Sequence, residues 1–157
     1  VYKTMIRMEG KKYGLKENDL LFTSDIGYTE GFPRQSVFEL FTLSNLFICP
    51  SYSESFGLTV LEAGSRGNFL VLNEAVPALK ELGETLGAYF MRWNARNFGY
   101  HTQEKYVPSE KAYYEEHAAR IVTLMREDRS LHAKTTIRNR YHPDWICQNQ
   151  LIPLLEP

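Results

Sequence analysis

The chain has 157 residues with 18 Lys and Arg against 19 Asp and Glu, a net charge of −1. That length suits one domain with a proper hydrophobic core, and we take residues 1–157 as a single domain. The charge balance excludes recognition of nucleic acid or an acidic membrane by bulk electrostatics, and no apolar stretch reaches the ~20 residues that span a bilayer. No signal-peptide pattern opens the chain, and a first residue Val rather than Met is expected of a processed or excised segment. The two cysteines, Cys49 and Cys147, stand far apart and read as reduced, buried thiols of a cytoplasmic protein.

Residues 1–15 set Tyr2, Met5, Ile6 and Met8 among Lys, Arg and Glu, which predicts a helix stopped at Gly14. Asp19-Leu20-Leu21-Phe22-Thr23 predicts a strand, followed by a loop over 24–34 with Gly27, Gly31 and Pro33. Pro33 fits the first turn of a helix running to Ser44, with Val37, Phe38, Leu40, Phe41 and Leu43 as its apolar face. The run Asn45-Leu46-Phe47-Ile48-Cys49 is short and strand-like. A polar turn over 50–55 leads into a helix from Phe56 or Gly57, which leaves at 64–67. A buried strand at 69–72, a short helix at 78–82 and a strand at 88–93 follow, then an irregular polar stretch over 94–108. Ser109 is placed to cap a helix through 126. A helix at about 130–140 comes next, and His142-Pro143 opens a last one with Trp145, Ile146, Leu151 and Ile152 on its apolar side. Strands near 20–23, 46–49, 69–72 and 88–93 thus alternate with helices. The fold class is α/β: a Rossmann-like parallel sheet flanked by helices.

The chemistry concentrates in residues 50–63, Pro-Ser-Tyr-Ser-Glu-Ser-Phe-Gly-Leu-Thr-Val-Leu-Glu-Ala. Glu54 lies on the loop leaving a strand, where ligands collect in an open parallel sheet. Glu62 lies in the helix that follows. The first N–H groups of that helix, from Phe56, Gly57, Leu58 and Thr59, have no partner inside it. Together with the positive end of the macrodipole they favour an anion, above all a phosphate. Gly57 keeps side-chain bulk away from that approach. No Asp-x-Asp pair, Walker loop or Gly-x-Gly-x-x-Gly fingerprint is present. His101, His117, His132 and His142 have no metal-ligand spacing, so neither a metal nor another cofactor is expected.

Glu54 and Glu62, with Ser-Phe-Gly after the first and Leu-Glu-Ala at the second, resemble the Glu-x7-Glu signature of retaining glycosyltransferases of the GT-B fold. The resemblance implies a nucleotide diphosphate sugar as donor, with Glu54 as the catalytic carboxylate facing the sugar. It implies Glu62 on the ribose hydroxyls and Ser55, Phe56, Gly57, Leu58 and Thr59 around the sugar and diphosphate. It also assigns Ile26, Gly27 and Tyr28 to the nucleotide base, with an ordinary surface loop as the alternative. The implied activity moves the sugar to a hydroxyl of a sugar, lipid or protein acceptor. The chain would be the C-terminal, donor-binding half of such a fold, lacking its first strand and the N-terminal acceptor domain. The family's upstream Arg and Lys are not found; Lys3, Arg7, Lys11 and Lys12 read as a solvated helix face. Members often have Pro where Ser55 stands and Glu where Ala78 stands, and Gly67-Asn68-Phe69-Leu70-Val71 lacks their Pro. Two other readings stay open: a non-catalytic, degenerate scaffold and a sugar-nucleotide epimerase.

Overall fold

A computed structural model describes residues 2–93, 95–96, 103–104, 111–127 and 130–155. His101 and the cap expected at Ser109 lie outside the described residues. The chain divides into two compact units, Val1–Val37 and Phe38–Pro157.

In the first unit, α1 (Tyr2–Lys12) ends with Lys11 and Lys12 in its last turn, where cations complement the helix dipole. Gly14 stops it at φ 83°, a left-handed conformation natural to glycine. Lys3 and Arg7 reach Asp25 at 2.8 and 2.6 Å and stand over the Phe22 ring at 5.7 and 5.3 Å from its centroid. The strand expected at 19–23 is not formed. Glu17–Asp19 is a 3-10 turn instead, closed by the Lys16 N–H donating to the Asp19 carboxylate at 2.7 Å. Leu20 (φ −123°, ψ 106°) and Phe22 (φ −108°, ψ 133°) are extended, but no described strand pairs with them. A second 3-10 turn, Thr23–Ile26, begins at once. Two local turns thus bound the short stretch 20–22, which finds no partner strand among the described residues.

The second unit holds the sheet. The helix α2 (Arg34–Leu43) carries the boundary between the units. After it come β1 (Leu46–Cys49), α3 (Leu58–Ser65), β2 (Phe69–Asn73), α4 (Pro77–Leu86) and β3 (Tyr89–Met91). The three strands are parallel in the order β1-β2-β3, with Leu46 opposite Phe69 and Val71 opposite Tyr89. Every residue of β2 is buried, as a central strand covered on both faces requires. Alternate side chains divide between those faces. Phe69 and Val71 pack with Met91 of β3 and Ile121 of α5 (Lys111–Met125). Leu70 and Leu72 lie against Gly64 of α3 and Gly83 of α4. Gly64 lets α6 (Ser130–Arg140) approach closely: a Cβ there would lie 2.7 Å from Ile137 Cδ1.

Several boundaries differ from expectation. The helix expected at 78–82 runs on to Leu86, because Gly83 does not end it. A Cβ at Gly83 would lie 2.6 Å from Phe90 Cζ, so this glycine makes room for a ring, and the stop is Gly87 at φ 68°. Within the stretch expected to be irregular, β4 (Ala95–Arg96) and β5 (Gln103–Glu104) form a short antiparallel pair. The last segment is α7 (Pro143–Ile146), a π-helical turn Cys147–Leu151 and α8 (Ile152–Leu155). His142 caps α7 by accepting from the Asp144 N–H at 3.3 Å, ahead of Pro143. Cys147, expected to be buried, is exposed on that segment, while Cys49 is half-buried; both are free thiols. No helix among the described residues is long and apolar enough to cross a membrane.

Candidate functional site

β1 ends at Cys49 and the chain turns through residues 50–57 into α3. Gly57 is the N-cap of α3 at φ 86°, ψ 46°, and the first returning bond is from Val60 N–H to Gly57 O at 2.9 Å. The amides of Phe56, Gly57, Leu58 and Thr59 therefore sit ahead of the helical ladder, as an anion site at a helix N-terminus requires. The reason for glycine differs from the expected one. Gly57 is buried, and a Cβ on it would meet Leu79 Cδ2 at 3.2 Å and Leu82 Cδ2 at 3.4 Å, both on α4. Packing against α4 and a left-handed backbone both demand glycine here.

Glu54 is half-buried on the loop. Ser51 Oγ lies 3.0 Å from Glu54 Oε1 and 3.2 Å from Ser53 O, so its one hydrogen is shared between them. The Cys49 thiol is pushed up from its ordinary pKa, first by burial; the Ser51 backbone hydrogen bond opposes this and the Glu54 charge adds to it. The carboxylate is thus held back over the end of β1 by its own loop. Glu62 is half-buried in α3, roughly 6 Å along the axis from Leu58 at ~1.5 Å per residue. Leu58 and Thr59 are exposed.

Ser55 and Phe56 meet Ala78, Glu81, Leu82, Thr85 and Tyr141 around an open groove of ≈ 110 Å³. The Phe56 and Tyr141 rings are 6.5 Å apart, centroid to centroid, and inclined at 60°. The groove's lining includes neither Glu54 nor Glu62. Ile26, Gly27 and Tyr28 belong to the first unit, where Gly27 ends a 3-10 turn at φ 90° and Tyr28 meets Phe32 edge-on at 4.8 Å. Among the described residues no group of three His, Cys, Asp or Glu side chains is placed to hold a metal ion.

Three further residues shape the carboxyl edge of the sheet, and sequence reading had not singled them out. Asn73 is fully buried at the end of β2. Glu74 follows it and faces Arg92, the residue after β3, at 3.8 Å. The available signal was an amide at the end of an otherwise apolar, buried strand, since such a group must find partners.

Residues 12–85, just under half of the chain, match the family described as glycosyl transferases group 1. The matched segment includes β1, the loop with Glu54, and α3 with Glu62. The match supports a group 1 glycosyltransferase domain, in a family whose general activity is glycosyl transfer. No curated protein and no solved structure matches the chain.

Proposed function

We propose that this chain is the donor-binding half of a retaining glycosyltransferase. It takes a nucleotide diphosphate sugar and presents it for transfer to an acceptor hydroxyl. The observation that carries the reading is the strand–loop–helix element itself. One carboxylate, Glu54, sits on the loop at the carboxyl end of a parallel strand, and a second, Glu62, sits in the helix whose N-terminal amides open toward that loop.

The amides ahead of α3 take the diphosphate, whose leaving charge they and the helix dipole stabilise. Glu62 accepts from the ribose diol, for which a two-oxygen acceptor is suited. Glu54 orients the sugar and stabilises positive charge at its anomeric carbon, and it does not act as a nucleophile. The bond from the anomeric carbon to the diphosphate breaks, and the acceptor hydroxyl attacks on the same face, its proton passing to the departing diphosphate oxygen, which retains the configuration. Acceptor groups come from a partner domain across the cleft, so the chain by itself binds donor without turnover. Two free thiols, Cys49 and Cys147, fit a reducing cytoplasm.

Titration of the chain with nucleoside diphosphates and their sugar conjugates tests this, read by heat or by Trp93 fluorescence. One conjugate should bind, and Glu62→Ala should weaken nucleotide binding by about tenfold or more while leaving the fold intact, as loss of a charge-assisted hydrogen-bond pair implies. Glu54→Gln should spare the bare diphosphate and weaken the sugar-linked form. A second reading, a non-catalytic module, is favoured by the groove that leaves out both carboxylates and is lined by Ala78. Folded protein that binds none of these donors leaves this module or a truncated donor site, and adding the upstream strand with its basic loop decides between them.

A further inference from the structure

Two buried asparagines bracket the central strand, and they do different work. Asn68, just before β2, is fully buried. Its amide donates to Phe41 O at 2.7 Å and Ala63 O at 3.1 Å and accepts from Ser44 Oγ at 2.7 Å. It ties the ends of α2 and α3 to the start of β2, away from the candidate site. Asn73, the last residue of β2, makes the corresponding links at the carboxyl edge. Its Oδ1 accepts from Trp93 N–H at 3.0 Å and from Ala75 N–H at 3.1 Å. Its Nδ2 donates to Ser51 O at 3.0 Å.

The exits of all three parallel strands therefore converge on one side chain. Trp93 follows β3, Ala75 follows β2 and Ser51 follows β1. Ser51 in turn places its hydroxyl 3.0 Å from Glu54 Oε1. A continuous chain of hydrogen bonds runs from the end of β3, through the Asn73 amide, to the Ser51 backbone and on from the Ser51 side chain to the Glu54 carboxylate. Both lone pairs of the Asn73 oxygen are occupied, so the amide cannot rotate without losing partners on two strands. The Ser51 carbonyl, and hence the residue that bonds Glu54, is fixed by the sheet and not by the loop.

We infer that Asn73 and Ser51 are positioning residues for Glu54, setting the carboxylate where it meets the sugar of the donor. The inference rests on the donor-binding reading above. Asn73 is chemically suited to the task because only an amide offers a donor to Ser51 O and an acceptor to the other two strand exits at once. Aspartate keeps the acceptor but turns an anion toward the Ser51 carbonyl, which breaks the link to the Glu54 loop selectively.

The test compares the unaltered chain with Ser51→Ala, Asn73→Asp and Asn68→Ser. The probes are UDP, GDP and ADP, each with its glucose or mannose conjugate, and thermal unfolding is followed in parallel. The unaltered chain should bind one conjugate more tightly than its bare diphosphate. Ser51→Ala and Asn73→Asp should reduce that preference by about tenfold, the scale of one hydrogen bond to a charged group, with the bare diphosphate bound as before. Asn68→Ser should lower the unfolding temperature and leave the preference unchanged, which separates positioning from general stability. Ser51→Ala removes a half-buried hydroxyl only, so it decides the matter should Asn73→Asp not fold. A preference kept at full strength in Ser51→Ala, or lost equally in Asn68→Ser, overturns the inference and leaves the donor reading standing. No preference in the folded, unaltered chain overturns the donor reading and this inference with it.

Discussion

At the scale of single residues, Cys49 reports the state of the candidate site. Its thiol sits at the end of β1, half-buried, hydrogen-bonded by the Ser51 backbone and within the influence of the Glu54 charge. Burial is the main cause raising its pKa, and the Glu54 charge acts in the same direction. The folded state therefore holds the thiol proton longer than the unfolded state does. The resulting stability is fully present below the unfolded thiol pKa and is lost as pH rises through the higher folded value. Reactivity follows the same sign, since the thiolate is the nucleophile. Alkylation at neutral pH should label the exposed Cys147 well before Cys49, with Cys49 gaining rate only above the ordinary thiol range. Glu54→Gln should move that rise to lower pH. Peptide mass spectrometry over a pH series reads both sites at once; equal labelling of the two cysteines would contradict the burial of Cys49, and an unmoved rise in Glu54→Gln would contradict the influence of Glu54 on the thiol.

At the scale of elements, two helical glycines show how closely α4 packs on the sheet and α6 on α3. A Cβ at Gly83 would meet two ring carbons of Phe90 at 2.6 and 2.7 Å and Leu72 Cδ1 at 3.0 Å. Leu72 is fully buried and has no room to move, and the half-buried Phe90 ring must shift as a rigid body. At Gly64 the nearest atom is the far end of Ile137, at 2.7 Å, which can turn aside. Alanine gains about 1 kcal/mol of helix propensity over glycine, whereas overpacking a tight core costs about 1–3 kcal/mol. Gly83→Ala should then be destabilising by about 1–2 kcal/mol in denaturant unfolding, and Gly64→Ala by less. The reverse order would show that α6, not α4, is the tighter layer.

The same elements show what was legible beforehand. The runs at 46–49 and 69–72 are apolar and bounded by polar turns, and both are strands. The helix expected at 78–82 runs on through Gly83, since glycine marks a helix end by conformation in one place and a close contact in another. Only the partner, Phe90, distinguishes them. The run at 19–23 has strand-like residues, but a strand exists through its neighbour, and the Lys16–Asp19 and Thr23–Ile26 turns satisfy the backbone locally. β4 and β5 are too short to show any period. Of the candidate site, the placement of Glu54 on the loop and of Glu62 and the first amides in α3 was readable from the strand–turn–helix pattern, while their roles rest on the resemblance. Ser51 and Asn73 were not, because their partners are contributed by strand exits that only the fold brings together.

At the scale of the whole molecule, charge sets how a donor would be held. Lys and Arg number 18 and Asp and Glu 19, so no net field draws in an anion, and attraction must come from local groups. The groups ahead of α3 are backbone amides, and a lone diphosphate, unlike a nucleic acid, carries no condensed counterion atmosphere to release. A protein that neutralises many phosphates with cations loses about 10³–10⁵ in affinity between roughly 50 and 200 mM salt. Donor binding here should weaken by less than about threefold over that range, because the amides act at contact distance, well inside the ~10 Å screening length. Calorimetric titration with the preferred sugar conjugate at the two salt concentrations checks this. A steep dependence would place the diphosphate on a cluster of lysines and arginines instead of on the start of α3. The flat dependence, together with loss of binding in Glu62→Ala, would locate the nucleotide on the helix that follows β1.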